Sequence, residues 1–515
     1  MKQNIILMTI LTSIICLTAC KKSSLTLTDP NNAVQNTYYK SEKEALSGLA
    51  GIFDAFQSNN LMGKRYREFD HLTDNATTVQ NTGGYLEIEN STHGPQSQLI
   101  NTVFWPAYYT VISRANLLIS DVTKMDSTTI NSASRKRIIA EASFLRDYAY
   151  CDLTALWADV PLSLSPLGPF AEPLSRKSKT EIYTKMIDDL LKVIIPNLPL
   201  QLTAAEAGRI GKGAAKTLLA KYYLYQKDYA NAAIILKEVI ESRVYSLYPD
   251  YAKLFTESGE FSSESVFEIN FNSISVDVGE NFSVRIDTAI ALVVPSQFWA
   301  PIRSLVNSYL CTDGRPVAAS TLYGTTSPLY VAANPYNNRD PRLRATVFTN
   351  ADNTPGGKKI WRWTDVNSFA VKKYTSISNV QFISGGVQNY YVIRYADVLL
   401  LYAEAENEAS GATANVYSAV NLIRQRVSMP NYPAGLTKDQ MRSYIRDERR
   451  WEFALEHQRY FDLQRWGITG QVVTAASPLA GRKVFTEPRD YLWPYPQNEM
   501  DRNPAMNAAG QNPGW

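Results

Sequence analysis

Apolar residues recur with a helical period in seven stretches of the chain and lose that period in two others. Ser41-x-x-Glu44 is a capping-box pattern that opens a helix carrying Leu46, Leu49, Ile52, Phe53 and Phe56 on one face. A second helix is predicted from Leu99 to Val122, with Trp105, Tyr109, Ile112 and Leu117 near one side, and a third from about Ala133 to Trp157. Ser178-x-x-Glu181 caps a helix that stops before Pro196. Residues 58–97, rich in Gly, Asn and Thr, carry no helical period and read as a long loop region.

Residues 213–241 hold the clearest repeat. Leu219-Ala220-x-x-Tyr223, Tyr229 and Ala232-x-x-x-Leu236 keep the spacing of a tetratricopeptide helix pair, in which small residues at 220 and 232 let two helices approach closely. A looser pair spans Val398–Glu408 and Ala414–Val427, and Ala142-x-x-Leu145-x-x-Tyr148 hints at a third. One pair cannot bury its own face, so several should stack. Between the pairs, residues 245–395 change to short β-rich runs: Ser265 to Phe271, Ala289 to Val294, Ala345 to Thr349, Val380 to Ile383 and Val387 to Arg394, with Gly385-Gly386 as a hairpin turn between the last two. The fold class predicted is mostly α: tetratricopeptide-like helix pairs supporting a loop-rich region with short strands.

Residues 1–19 read as an export signal, with Lys2 as the charged start, Ile5 to Leu17 as the apolar stretch and Ala19 before the cut. Leu17-Thr-Ala-Cys20 reads as a lipobox, in which the Cys20 thiol takes a diacylglycerol and the freed amine a further acyl chain. Residues 20–40 then form a polar tether. No later segment offers the ~18 uninterrupted apolar residues of a spanning helix. Without Lys2 the 52 Lys and Arg become 51 against 49 Asp and Glu, so charge gives no reason to expect nucleic acid as partner. Cys16 leaves with the signal and Cys20 is lipidated. That leaves Cys151 and Cys311, which is no disulfide framework, and Cys151 reads as a buried small residue.

Enzymatic signatures are missing. His71, His93 and His457 form no HExxH or Cys/His cluster, so no metal or other cofactor is expected. Gly208-Arg-Ile-Gly-Lys-Gly213 fails as a phosphate loop because Ala214-Ala215 stand where Lys and Ser/Thr are needed. The segment Tyr444 to Trp466 reads as one helix with an apolar stripe at Tyr444, Trp451 and Leu455, and with Asp447 and Arg450 paired on its surface. Glu448, Glu452 and Glu456 share a ridge there with Arg449, Arg450 and Arg459 in reach. A structural ion-pair network is the expected role, since a glycosidase needs two carboxyls facing each other across a cleft. His457 is expected to be a structural hydrogen-bonder.

That same segment, with Leu492-Trp-Pro-Tyr-Pro-Gln-Asn-Glu-Met-Asp-Arg-Asn-Pro504 after it, resembles the C-terminal hallmark of the SusD/RagB family of outer-membrane nutrient-binding lipoproteins. Glu141 to Leu162, Asn338-Arg-Asp-Pro-Arg342, Val392 to Ala405 and Gln511-Asn-Pro-Gly514 resemble the family in the same order along the chain. The resemblance implies a lipid-anchored protein of the outer membrane facing the cell exterior. It would capture a nutrient, most simply a glycan, and release it into a partner SusC-like TonB-dependent transporter, without being an enzyme. The shared segments are structural in the family, so ligand residues are sought elsewhere.

Glycan binding calls for Trp or Tyr faces against sugar C–H surfaces, with amide, carboxylate or guanidinium partners for the hydroxyls. In the loops outside the repeats the candidates are Trp361, Trp363, Tyr85, Trp299, Tyr323 and Tyr336, with Asn81, Asp313 and Arg362 as polar partners. Trp361 and Trp363 would share a face in a strand and form one platform. Core packing is the competing reading for each ring. Trp105, Trp157, Trp451, Trp466 and Trp493 lie in scaffold segments and are assigned to the core. The domain reading is one binding unit over 41–515, with a helical scaffold over about 41–244 and 395–466, a loop-rich ligand region over about 245–394, and a C-terminal packing segment over 467–515. A peptide cargo, as in the RagB branch, and a surface hydrolase are the rival functions.

Overall fold

The computed structural model describes residues 39–64, 66–78, 84–168, 171–271, 299–349, 351–352, 369–374, 387–476 and 483–515. The lipobox, Asn81, Trp361, Arg362, Trp363, Gly385-Gly386 and the runs 289–294 and 380–383 lie outside these residues.

The longer helices are α1 (Glu42–Gln57), α2 (Trp105–Lys124), α3 (Ser132–Trp157), α4 (Lys179–Asp189), α5 (Lys212–Tyr225), α6 (Tyr229–Glu241), α7 (Tyr395–Ser410), α8 (Ala414–Arg426), α9 (Lys438–Glu452) and α10 (Gln458–Trp466). Local chemistry sets where they begin. Ser41 Oγ accepts from the Glu44 amide at the start of α1, and Ser178 and Glu181 form a full reciprocal box at α4. Thr437 and Gln440 form another reciprocal box at α9. The predicted pairs are present: α5 lies against α6, α6 against α7, and α7 against α8 and α9, while α1, α2 and α3 pack on one another. Ala220 and Ala232 are fully buried where α5 and α6 meet, which allows the close approach their small side chains imply. One apolar cluster runs from Ala45 to Met506.

Among the described residues, four two-stranded antiparallel sheets decorate the helices. They pair β1 (Ala76–Thr78) with β5 (Trp299–Pro301), β2 (Val160–Pro161) with β3 (Arg176–Lys177), β4 (Ser265–Ile269) with β8 (Tyr390–Arg394), and β6 (Val347–Phe348) with β7 (Ala370–Val371). Two predicted runs, around 265 and 390, thus become partners across more than a hundred residues. Ala345 and Thr346, expected in a strand, end a short helix, Pro341–Thr346, because Asp340 caps it and Pro341 occupies its first turn.

Three further expectations need correction. Residues 58–97 contain a 3-10 segment (Tyr66–Leu72), β1 and a short helix (Tyr85–Glu89), each too short to print a period in sequence. Tertiary contacts hold them: the Phe69 ring stacks 5.2 Å from Tyr460 and 6.0 Å from Trp493. The stretch 444–466 is two helices, broken at Phe453–His457, where Leu455 and His457 take left-handed φ of 65° and 75°. The break is fixed from outside, since the His457 amide donates to Asp70 Oδ2 at 2.9 Å and its ring bonds the Tyr390 hydroxyl at 2.6 Å. Arg450, expected on the surface, is buried. Its guanidinium reaches Asn75 Oδ1 at 3.0 Å and the Asp74 carbonyl at 2.7 Å.

Candidate ligand-binding face and the network beneath it

The loop-rich side is framed by β1, β5, β6 and β7. Thr78 pairs with Trp299 in register, β5 touches β7, and β7 pairs with β6. Thr78, Trp299, Phe348 and Ala370 are therefore neighbours in one frame, and these described residues flank 79–83, 272–298 and 353–368. The frame is anchored below. Glu89 accepts from the Thr78 amide at 2.9 Å and pairs with Lys483 at 3.1 Å, and the Ile302 amide donates to the Asn75 carbonyl at 3.0 Å.

The described candidates do not share a face. Tyr85 is 1% exposed, with its ring edge-on to His71 at 4.8 Å, so it is a core residue and offers no surface to a ligand. Tyr336 is buried too, edge-on to Phe369 at 6.3 Å. Tyr323 packs against Tyr444 at 5.0 Å and Trp451 at 5.8 Å, and its hydroxyl donates to Asp447 Oδ2 at 3.0 Å. Asp313 is a turn residue that accepts from the Ser327 hydroxyl at 2.8 Å and the Arg315 amide at 3.0 Å. Trp299 supplies backbone to β5. Of the five tryptophans assigned to the core, Trp105, Trp157, Trp451 and Trp493 are buried. Trp466 is half-buried, under the Arg446 guanidinium at 4.8 Å, because α10 ends there at the surface.

Under the frame lies a connected set of buried charges. Arg342, Lys373, Arg394, Arg424 and Arg426 face Asp340, Glu264, Glu448, Glu452 and Glu456, five cations against five carboxylates. Burial pushes the Glu452 carboxyl up, but Arg426, Arg394 and Arg342 more than reverse this and hold it well below the usual range. Burial likewise opposes ionisation of Glu448, and Arg342 and Arg424 outweigh it. Lys373 moves the other way: burial lowers it to about 8 despite Glu456. Asp74, buried but flanked by Arg450 and Arg459, is lowered to about 2. Glu448 and Glu452, held ionised by guanidinium groups, have no proton to give, and Glu456 is paired with Lys373 and Arg394, so the ridge serves as the ion-pair network expected of it. Burial depresses the His457 ring well below its ordinary value, which keeps it a neutral partner for Tyr390. Among the described residues no group of three or more His, Cys, Asp or Glu is placed to hold a metal, and no helix is long and apolar enough to cross a membrane.

A groove of about 440 Å³ opens elsewhere, between the start of α2, the β2–β3 connection and the C-terminal helix Gln497–Arg502. Trp105, Tyr109 and Pro161 line it on one side, and Asn498, Glu499 and Arg502 on the other. Sequence reasoning missed it. Its one signal was the i,i+4 spacing of Trp105 and Tyr109, which puts both rings on one helix face.

Two family descriptions cover the chain in tandem. Residues 263–515 match the SusD family, and residues 27–224 match the family described as starch-binding, associating with outer membrane. SusD-like protein P25 of Formosa agariphila is 26% identical over 504 residues, spanning 91% of this chain and 92% of that protein. The chain belongs to the SusD/RagB family.

Solved SusD-like structures share the fold. A SusD-like carbohydrate-binding protein from Bacteroides fragilis superposes with a TM-score of 0.78 at 24% identity, covering 91% of this chain and all of the other. A laminarin-binding SusD-like protein superposes at 0.71 with 25% identity, covering 93% of this chain and all of the other. The segments that carry the SusD/RagB resemblance converge on two places. Asn338–Arg342, β8, α9 and the break that follows α9 supply Asp340, Arg342, Arg394, Glu448, Glu452 and Glu456 to the ion-pair network. The C-terminal motif locks onto α3: Trp157 Nε1 donates to the Pro494 carbonyl at 2.9 Å, the Tyr495 hydroxyl to the Asp159 carbonyl at 2.6 Å, and Asn512 Nδ2 to the Trp157 and Trp493 carbonyls at 3.0 and 2.8 Å.

Proposed function

We propose that this protein is a non-catalytic glycan-binding lipoprotein of the outer membrane, anchored through Cys20, facing the cell exterior and passing its cargo to a SusC-like TonB-dependent transporter. The observation that carries the reading is the end-to-end likeness, at 25% identity, to a protein described as laminarin-binding. The chemistry agrees. Rigid helix pairs hold up an irregular face, and the carboxylates clustered beneath it are neutralised by guanidinium groups rather than poised as an acid and a base. In this reading residues 1–19 are the signal, 20–40 the tether and 41–515 the binding unit. Its primary ligand contacts come from residues 245–394, with Trp361 and Trp363 as the aromatic platform.

Isothermal titration of the mature chain with a panel of soluble glycans tests the proposal. A glycan should bind, and Trp361→Ala with Trp363→Ala should remove most of that affinity with the melting temperature unchanged. Binding of peptides and no glycan would replace the cargo, and release of shortened glycan from the incubation would overturn the non-catalytic role.

A further inference from the structure

We infer that the groove between α2 and the C-terminal helix Gln497–Arg502 is a second saccharide site, taking one or two neutral sugar residues of the same glycan. This rests on the glycan-binding reading but not on where the primary site lies, since none of β1, β5, β6 or β7 lines the groove.

The floor is aromatic and already rigid. Tyr109 is half-buried, with its hydroxyl tied to the Pro161 carbonyl at 2.8 Å, and its ring lies 5.0 Å from Trp105. Trp105 is in turn held edge-on by Trp157 at 5.2 Å and Tyr495 at 6.1 Å. Tyr109 presents the accessible ring and the buried Trp105 backs it, so a ring fixed before binding costs little ordering entropy when a sugar's C–H face settles on it. Pro106, Pro173 and Leu167 extend the apolar wall, and Leu167, at the edge, is 55% exposed.

The facing rim is polar and under-used. Asn101 Oδ1 accepts from the Asn498 amide at 3.0 Å, which leaves the Asn101 NH₂ free to donate. The side chains of Asn498 and Arg502 have no hydrogen-bond or charge partner among the described residues. Glu499 accepts through one oxygen only, from Asn503 Nδ2 at 3.4 Å. Two amides, a carboxylate and a guanidinium around aromatic rings match the alternating hydroxyls and C–H faces of a pyranose. An apolar peptide or acyl chain would leave these groups desolvated and unpaired, at a cost. Glu499 and Arg502 cancel in charge, which favours a neutral sugar over a uronate or a sulfated one. A second weak site on the same chain raises the avidity for a polymer without tightening either site.

The test is titration of the mature chain with laminarin and starch, and with short oligosaccharides of each. Two variants bear on the groove: Tyr109→Ala, and the exposed rim pair Asn498→Ala with Arg502→Ala. The rim pair touches no core contact, so it keeps the test sound if the tyrosine variant unfolds. We expect the wild type to bind more than one equivalent of short oligosaccharide. The rim variant should lose the weaker class, and its polymer affinity should fall on the order of ten-fold or more. Unchanged stoichiometry and polymer affinity in the rim variant, with wild-type glycan binding intact, would overturn the groove site alone. A wild type that binds no glycan would overturn the proposed function and this site with it. Loss of transporter association with glycan stoichiometry unchanged would make the groove a protein contact and overturn the inference.

Discussion

Arg342 Nη1 lies 2.6 Å from Glu448 Oε1, although the two are 106 positions apart in the chain, and neither side chain is exposed to solvent. The contact ties the loop-rich region to α9. It has to be satisfied completely: Arg342 also reaches Asp340 at 2.7 Å and Glu452 at 3.1 Å, while Glu448 takes Arg424 at 3.0 Å and the Tyr432 hydroxyl at 2.7 Å. Such a network specifies one arrangement of the two regions more surely than it adds net stability.

Removing one member should therefore cost more than the pair is worth. Arg342→Ala leaves Asp340, Glu448 and Glu452 buried with fewer cations, and should lower stability by about 3–5 kcal/mol in urea denaturation. A loss under about 1 kcal/mol would mean that the network relaxes or admits water.

Asp152 gives the chain a pH-dependent stability. Burial raises its carboxyl to about 7 despite the Tyr66 hydroxyl at 2.8 Å and Lys221 nearby. The folded pKa lies above the unfolded one, so the folded state holds the proton more tightly. This contribution is complete below about pH 4 and is lost as pH rises through 7. Asp152→Asn, neutral at every pH and close in shape, should flatten the fall in stability between pH 5 and pH 8. At pH 8 it should gain up to about 4 kcal/mol, the linkage ceiling for a shift of this size. Asp70, raised to about 6 by burial, titrates in the same direction and leaves a residual slope. Melting curves across that range decide; parallel curves for both proteins would place the titration elsewhere.

In the proposed function the anchor hangs on the Cys20 sulfur. Cys20→Ala should leave the protein folded but move it from the membrane pellet to the soluble fraction, because the acyl chains are what bind it. Metabolic labelling with a palmitate analogue should disappear in the same variant. Retention in the pellet with no label would point to protein contacts as the anchor.

Gly63 sits where no side chain fits. A Cβ there would stand 2.1 Å from the Gln57 carbonyl oxygen, a backbone atom that cannot swing away. Gly63→Ala should cost on the order of 2 kcal/mol in thermal or urea unfolding. Gly51, inside α1 with open space around the same position, is the control. Gly51→Ala should be neutral or slightly stabilising.

The amino-acid order by itself determined most of the scaffold. Long helices print their period, Ser178 and Glu181 mark a start with their own hydrogen bonds, and Ala220 and Ala232 encode the close approach of α5 and α6; all of this is local chemistry. Only the tertiary structure decided the break after Glu452, because it comes from Asp70 and Tyr390, each more than 60 residues away. The same holds for the burial of Arg450 and for the short elements in 58–97. Candidate rings divided along that line as well. Tyr85, Tyr323 and Tyr336 look like any loop aromatic in sequence, and whether such a ring faces a ligand or the core depends on the neighbours that folding brings to it. The α2 groove was out of reach for the same reason, since its two walls lie nearly 400 residues apart in the chain and nothing local marks them as partners.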